Sequence, residues 1–118
     1  MSNAGQDRRI DYIEFSVKSV PDAKRFYGQA FGWTFEDYGP DYASFSDGRL
    51  GGGFQTAAKV QTGGGPLVII YATDLEAMEQ KVRQAGGGIA RPIFSFPGGR
   101  RFHFTDPSGY ELAVWSDK

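Results

Sequence analysis

The chain has 118 residues, 40% of them hydrophobic, a formal net charge of −1 and no cysteine. This length fits one globular domain that buries a core without staples. The near-neutral, interspersed charge leaves no footprint for nucleic acid or an anionic membrane. Without cysteine there are no disulfides, no thiol chemistry and no Cys-based metal sites. No signal-peptide core or long apolar run is present, so the expected location is the cytoplasm. Residues 1–8 are polar and aperiodic and read as a disordered leader or tag ahead of a single domain over 9–118. Seventeen glycines and 15% aromatic residues point to many turns around an aromatic-lined interior.

From Ile10 to Val17, the apolar Ile13, Phe15 and Val17 alternate with Tyr12, Glu14 and Ser16, which predicts a strand with one apolar face. Ser19 is placed to cap a helix, with Asp22 as a weak capping-box partner. Ala23, Phe26, Tyr27, Ala30 and Phe31 then form a wide apolar stripe that stops at Gly32. Strands are predicted at Trp33–Tyr38, Tyr42–Ser46 and Leu50–Gln55, separated by the turns Gly39-Pro40-Asp41 and Ser46-Asp47-Gly48. This first module, 9–56, reads β-α-β-β-β. The glycine-rich stretch 57–65 reads as a flexible linker.

The second module, 66–116, repeats the order. Leu67–Ala72 is an apolar strand, and Thr73 with Glu76 reads as a capping box. Leu75, Met78, Val82 and Ala85 supply a helical stripe that ends at Gly86-Gly87-Gly88. Strands follow at Ile89–Ser95, Arg101–Thr105 and Tyr110–Trp115. The last two are joined by Asp106-Pro107-Ser108-Gly109, where Pro107 presets φ and Gly109 supplies a position free to take φ > 0. The halves superpose at an offset of about 55 residues, with Ser19 on Asp74, which implies duplication. Each unit leaves one sheet face open unless paired, and pairing two of them makes a cupped cavity: an α+β fold.

The segments VKSVPDAKRFYGQAFGW, GGGF, YATDLEAMEQKVRQAGG and FTDPSGYELAVW resemble the vicinal oxygen chelate superfamily, which includes glyoxalase I, bleomycin-resistance proteins and extradiol dioxygenases. The resemblance runs from Arg9 to Trp115 and is nearest to short glyoxalase-related proteins. It implies two βαβββ modules forming a cup, and a homodimer, since such cups are commonly completed at an interface. It is specific for the fold and not for an activity. In metal-dependent members, His, Glu or Gln side chains from the first and last strand of each module converge on a divalent ion with open positions left for substrate. By resemblance those positions fall on Tyr12, Leu67, the Gly51-Gly52-Gly53 stretch and Ala113. None can ligate in the family's way, and Glu111, two residues before Ala113 on the same face, lacks a partner imidazole. The expectation is therefore no metal and no cofactor.

Strand parity sends Tyr12, Glu14 and Ser16 into the cup with Leu67, Ile69 and Tyr71, Arg101, His103 and Thr105, and Glu111, Ala113 and Trp115. An aromatic basin with a few ionisable groups has the composition of a small-molecule pocket. Tyr12, Glu14, Phe54, Tyr71, Arg101, His103 and Trp115 are the candidate ligand-binding residues, and Glu14, His103 and Glu111 are the candidate catalytic ones. His103 is either a general base, a group that orients a ligand, or a strand histidine packed on an aromatic neighbour. Glu14 is either a buried acid with a raised pKa, or a partner of Arg100 or Arg101, or a carboxylate solvated at the cup rim. Trp33, Tyr71 and Trp115 either stack on a flat ligand, fill the core or make a dimer contact. Gly51 to Gly53 admits a ligand close to the backbone, forms a bulge, or seats an aromatic of the other module. Gly98-Gly99-Arg100-Arg101 lacks the context of a phosphate loop and reads as a turn with an arginine available to a carboxylate ligand. Two functions follow: a metal-free small-molecule-binding protein of the bleomycin-resistance type, or a glyoxalase-like lyase, isomerase or dioxygenase with an atypical site.

Overall fold

The computed structural model describes residues 7–118; residues 1–6 of the expected leader lie outside them. The elements are β1 (Tyr12–Val17), α1 (Val20–Phe31), β2 (Thr34–Asp37), β3 (Tyr42–Ser46), β4 (Gly51–Thr56), β5 (Ile69–Tyr71), α2 (Leu75–Gln84), β6 (Gly88–Phe96), β7 (Gly99–Thr105) and β8 (Glu111–Ser116). The β-α-β-β-β order thus occurs twice. Each unit forms its own four-stranded sheet, with orders β1-β4-β3-β2 and β5-β8-β7-β6. In each, the first and last strands pair in parallel across the helical crossover, and the other pairs are antiparallel. No helix among the described residues is long and apolar enough to cross a membrane.

Helix starts follow local chemistry. Ser19 Oγ accepts from the Asp22 N–H at 3.2 Å, and α1 ends at Gly32 with φ 73°. The cap of α2 is Asp74, not Thr73 as the capping-box pattern suggested: Asp74 Oδ1 accepts from the Ala77 N–H at 3.0 Å. A carboxylate is a strong acceptor for free helix N–H groups, and the Glu76 carboxylate that would complete a box from Thr73 is drawn instead to Arg100. Ser19 and Asp74 are 55 residues apart, so the repeat offset superposes the two caps.

The core lies between the helices and the sheets. Val20, Ala23, Phe26, Tyr27 and Ala30 of α1 are buried with Phe45, Phe54, Phe102, Phe104, Leu112 and Val114. Phe26 reaches the second module, its ring 5.8 Å from that of Phe104. Trp33 is a core residue, stacked between Tyr27 at 4.5 Å and Phe45 at 4.6 Å. The β4 glycines accommodate aromatics of their own module rather than of the other. A Cβ on Gly52 would collide with the Phe45 ring and the Ile13 carbonyl, and one on Gly53 with the Tyr42 and Tyr12 hydroxyls. Gly52→Ala is therefore expected to cost about 1–3 kcal/mol in urea unfolding, because neither backbone nor ring can yield without displacing β1 or β3.

The turn between β7 and β8 clamps the modules together. Gly109 takes φ 96° and its N–H donates to the Asp106 carbonyl at 2.9 Å. From this turn, Ser108 Oγ accepts the Lys18 N–H at 3.0 Å, and the Tyr110 hydroxyl donates to the Ser16 carbonyl at 2.8 Å. The Tyr27 hydroxyl donates to Asp106 Oδ2 at 2.8 Å. Three hydrogen bonds thus join one tight turn to β1, to the residue that follows it and to α1.

Candidate functional site

β1 and β5 are the edge strands of their sheets, and they leave a cleft of about 830 Å³ between the modules. Ile10, Ile13, Leu67 and Val68 give it apolar walls, residues 61–65 of the linker and Pro66 border it, and Glu14 and Glu111 place a carboxylate on each side. That volume is in the range of small-molecule sites. On the Glu14 side, the Tyr42 hydroxyl donates to Glu14 Oε1 at 2.9 Å and accepts from the Tyr12 hydroxyl. Burial, followed by these two hydrogen bonds, holds the Tyr42 phenol above its usual range.

The open face of the second sheet carries the remaining groups. Strand register brings Ile69, Ala113 and His103 into one row and Tyr71, Trp115 and Arg101 into the next. Tyr71 and Trp115 meet edge to face at 5.2 Å. The Tyr71 hydroxyl donates to Asp117 at 2.7 Å, which raises the phenol and lowers the carboxyl. His103 is buried, its side chain only 6% exposed, and its Nδ1 lies 2.7 Å from Glu111 Oε2. Phe94 lies against the imidazole at 5.8 Å. Glu111, expected from the sequence to lack a partner imidazole, has one in His103, and it links the cleft to that buried histidine.

Of the candidates, Glu14 and Glu111 line one cleft, His103 is tied to it through Glu111, and Tyr12 adjoins it through Tyr42. Arg101, Tyr71 and Trp115 form the adjoining aromatic and cationic face. Phe54 is a correction: it is wholly buried in the core, stacked on Phe45 at 5.0 Å and Tyr27 at 5.5 Å. It pairs with Phe15, whose side of the sheet faces the helices. Glu14 is exposed, not buried, and its partner is Tyr42; Arg100 pairs with Glu76. Sequence reasoning missed Tyr42, which the parity of β3 places opposite Ala43 and Phe45 and therefore on the open face. It also missed Phe94 and Arg91, whose guanidinium carbon lies 4.0 Å over the Phe94 ring, because β6 shifts register between Ile89 and Arg91 and again before Phe94, which breaks the alternation that parity reading needs.

A family model described as the Glyoxalase/Bleomycin resistance protein/Dioxygenase superfamily matches residues 9–114. The chain belongs to this superfamily. No curated protein sequence matches it. Its fold is similar to that of a glyoxalase-related enzyme from Fulvimarina pelagi (18% identity, 92% of this chain and 88% of that one, TM-score 0.79). It is also similar to a glyoxalase/bleomycin resistance protein/dioxygenase family enzyme from Burkholderia phytofirmans PsJN (13%, 92% and 100%, TM-score 0.82). A fosfomycin resistance protein from Mesorhizobium loti is a third neighbour (15%, 92% and 92%, TM-score 0.78). At these identities the likeness speaks for the fold alone.

The metal associated with this superfamily does not fit the residues present at the corresponding positions. The Tyr12 phenol is engaged with Tyr42, Leu67 and Ala113 are apolar, and Gly51 to Gly53 offer no side chain. Among the described residues no three His, Cys, Asp or Glu side chains converge.

Proposed function

We propose that the protein is a metal-independent small-molecule-binding member of the glyoxalase/bleomycin-resistance superfamily, acting in the cytoplasm as a homodimer. The observation that carries this reading is the inter-module cleft of about 830 Å³ with its adjoining aromatic face, kept where the family's ligand positions fall on Leu67, Ala113, three glycines and a Tyr12 phenol already bonded to Tyr42. In this reading Tyr71 and Trp115 offer ring faces to a flat ligand, Leu67 and Ile13 bury its apolar part, and Glu14, Glu111 and Arg101 fix its polar ends.

A second reading, a glyoxalase-like lyase, isomerase or dioxygenase with an atypical centre, is favoured by the Glu111–His103 pair. A carboxylate at 2.7 Å from Nδ1 orients the imidazole as an acid/base group needs. Metal analysis of the purified protein, with glyoxalase activity assayed after adding Ni²⁺, Zn²⁺ or Fe²⁺, decides between them. The binding reading expects no stoichiometric metal and no activation. A thermal-shift screen of aromatic antibiotics and metabolites should then give hits that Trp115→Ala abolishes and Gln80→Ala, on the exposed side of α2, leaves intact. Stoichiometric metal or metal-activated turnover moves the assignment to the enzyme.

A further inference from the structure

Among the described residues, just two buried side-chain nitrogens or oxygens lack a hydrogen-bond partner, Arg101 Nε and His103 Nε2. They are two residues apart on one strand and face the same side of β7. Each such orphan costs about 1–3 kcal/mol, so a pair side by side calls for an explanation. Glu111 can only accept, so the imidazole proton sits on Nδ1, and in the neutral ring Nε2 is left as an acceptor. Arg101 Nε–H is a donor. An oxygen that carries a hydrogen suits both atoms, able to accept from Arg101 and to donate to His103.

Phe94 covers this pair. Its ring centroid is 5.8 Å from that of His103 and 5.5 Å from the Arg101 guanidinium carbon. It sits on the edge strand β6 just after a register shift, where the ladder is interrupted and contains Pro92. The guanidinium also lies 5.6 Å from the Phe96 ring, and Trp115 is its cross-strand neighbour. We infer that Arg101 Nε and His103 Nε2 form the recognition point for the acidic hydroxyl of an aromatic or enolic small molecule, reached by displacement of Phe94. This deepens the small-molecule-binding reading and rests on it. The bound hydroxyl sits between a base backed by Glu111 and a fixed cation. Its O–H bond can break as an Nε2–H bond forms, leaving an oxyanion beside Arg101 with no net proton uptake.

The test uses 4-nitrophenol on the intact protein, with its methyl ether 4-nitroanisole as the probe lacking the hydroxyl. His103 is the single histidine of the chain, so its two ring nitrogens give unambiguous ¹⁵N resonances. Titration with 4-nitrophenol is expected to move Nε2 toward its protonated position while Nδ1 changes little, and to shift the probe's absorbance toward the phenolate. 4-Nitroanisole and the Arg101→Lys variant should each bind about tenfold more weakly or worse, the loss of one hydrogen bond to a charged group. Phe94→Ala should bind 4-nitrophenol more tightly. Equal binding of the two probes, or thermal stabilisation by 4-nitrophenol with Nε2 unmoved, overturns this inference and leaves the binding reading standing. No binding of 4-nitrophenol to the wild type or to Phe94→Ala overturns it as well, and a buried water then accounts for the two atoms.

Discussion

Replacing Phe54 with alanine lowers the unfolding free energy by about 3–5 kcal/mol, the cost of a large ring removed from a closed core. Phe54 has no exposed surface and is surrounded by rings: Phe45 at 5.0 Å, Tyr27 at 5.5 Å, Phe15 at 6.0 Å and Phe35 at 6.2 Å. These neighbours are held by three strands, β1, β2 and β3, and by α1, so they cannot collapse into the space. For a domain of this size the melting temperature falls by roughly 10–20 °C. Tyr71→Ala is the matched comparison: that side chain is 45% exposed, so the loss stays under about 1 kcal/mol. The pair of variants separates a residue that builds the fold from one that faces the ligand, and urea unfolding with a thermal-shift hit in hand reads both. A Phe54→Ala protein as stable as the wild type would return Phe54 to the pocket.

Phe54 also marks where sequence reading stops. The fold was legible because periodicity two and 3.6 alternate cleanly in both halves and because Ser19 and Asp74 superpose the helix starts. The open face was legible for the same reason: parity in β7 and β8 puts Arg101, His103, Glu111 and Trp115 together whatever the depth of each. Parity fails in β4, where three glycines precede Phe54 and leave no pattern from which to phase it; the register that pairs it with Phe15 is a tertiary fact. It fails again in β6, whose register shifts hide Arg91 and Phe94. Depth is a separate unknown. Glu14 and His103 both face outward from their sheets, yet Glu14 is exposed and His103 is buried, because Phe94 covers one and no neighbour covers the other to that extent.

Asp106→Ala is expected to cost about 3 kcal/mol or more, since it removes both the order of the clamping turn and the partner of a buried phenol. Asp106 Oδ1 accepts from the N–H groups of Ser108 at 2.9 Å and Tyr110 at 3.0 Å, and Oδ2 accepts from the wholly buried Tyr27. Alanine leaves the Tyr27 hydroxyl without a partner and loosens the turn that carries the Ser108 and Tyr110 links to β1 and Lys18. Asp106→Asn keeps an acceptor for the turn N–H groups and a donor for the phenol oxygen, so it loses less, and comparing it with Tyr27→Phe in a double-mutant cycle isolates the contact. The two variants also separate by pH. Burial raises the Asp106 carboxyl above its usual range, against the lowering effect of hydrogen bonding from Tyr27 and from the Tyr110, Ser108 and Gly109 backbone, so the folded protein holds this proton more readily than the unfolded chain. A raised folded value contributes stability that is fully present below the unfolded carboxylate pKa of about 3.9 and is lost as pH rises through the folded value. The wild type should therefore gain on Asp106→Asn as pH falls through that window, by urea midpoints at matched ionic strength. A gap that narrows instead would mean that the hydrogen-bond donors outweigh burial, and that the clamp is held by a carboxylate favoured in its charged form.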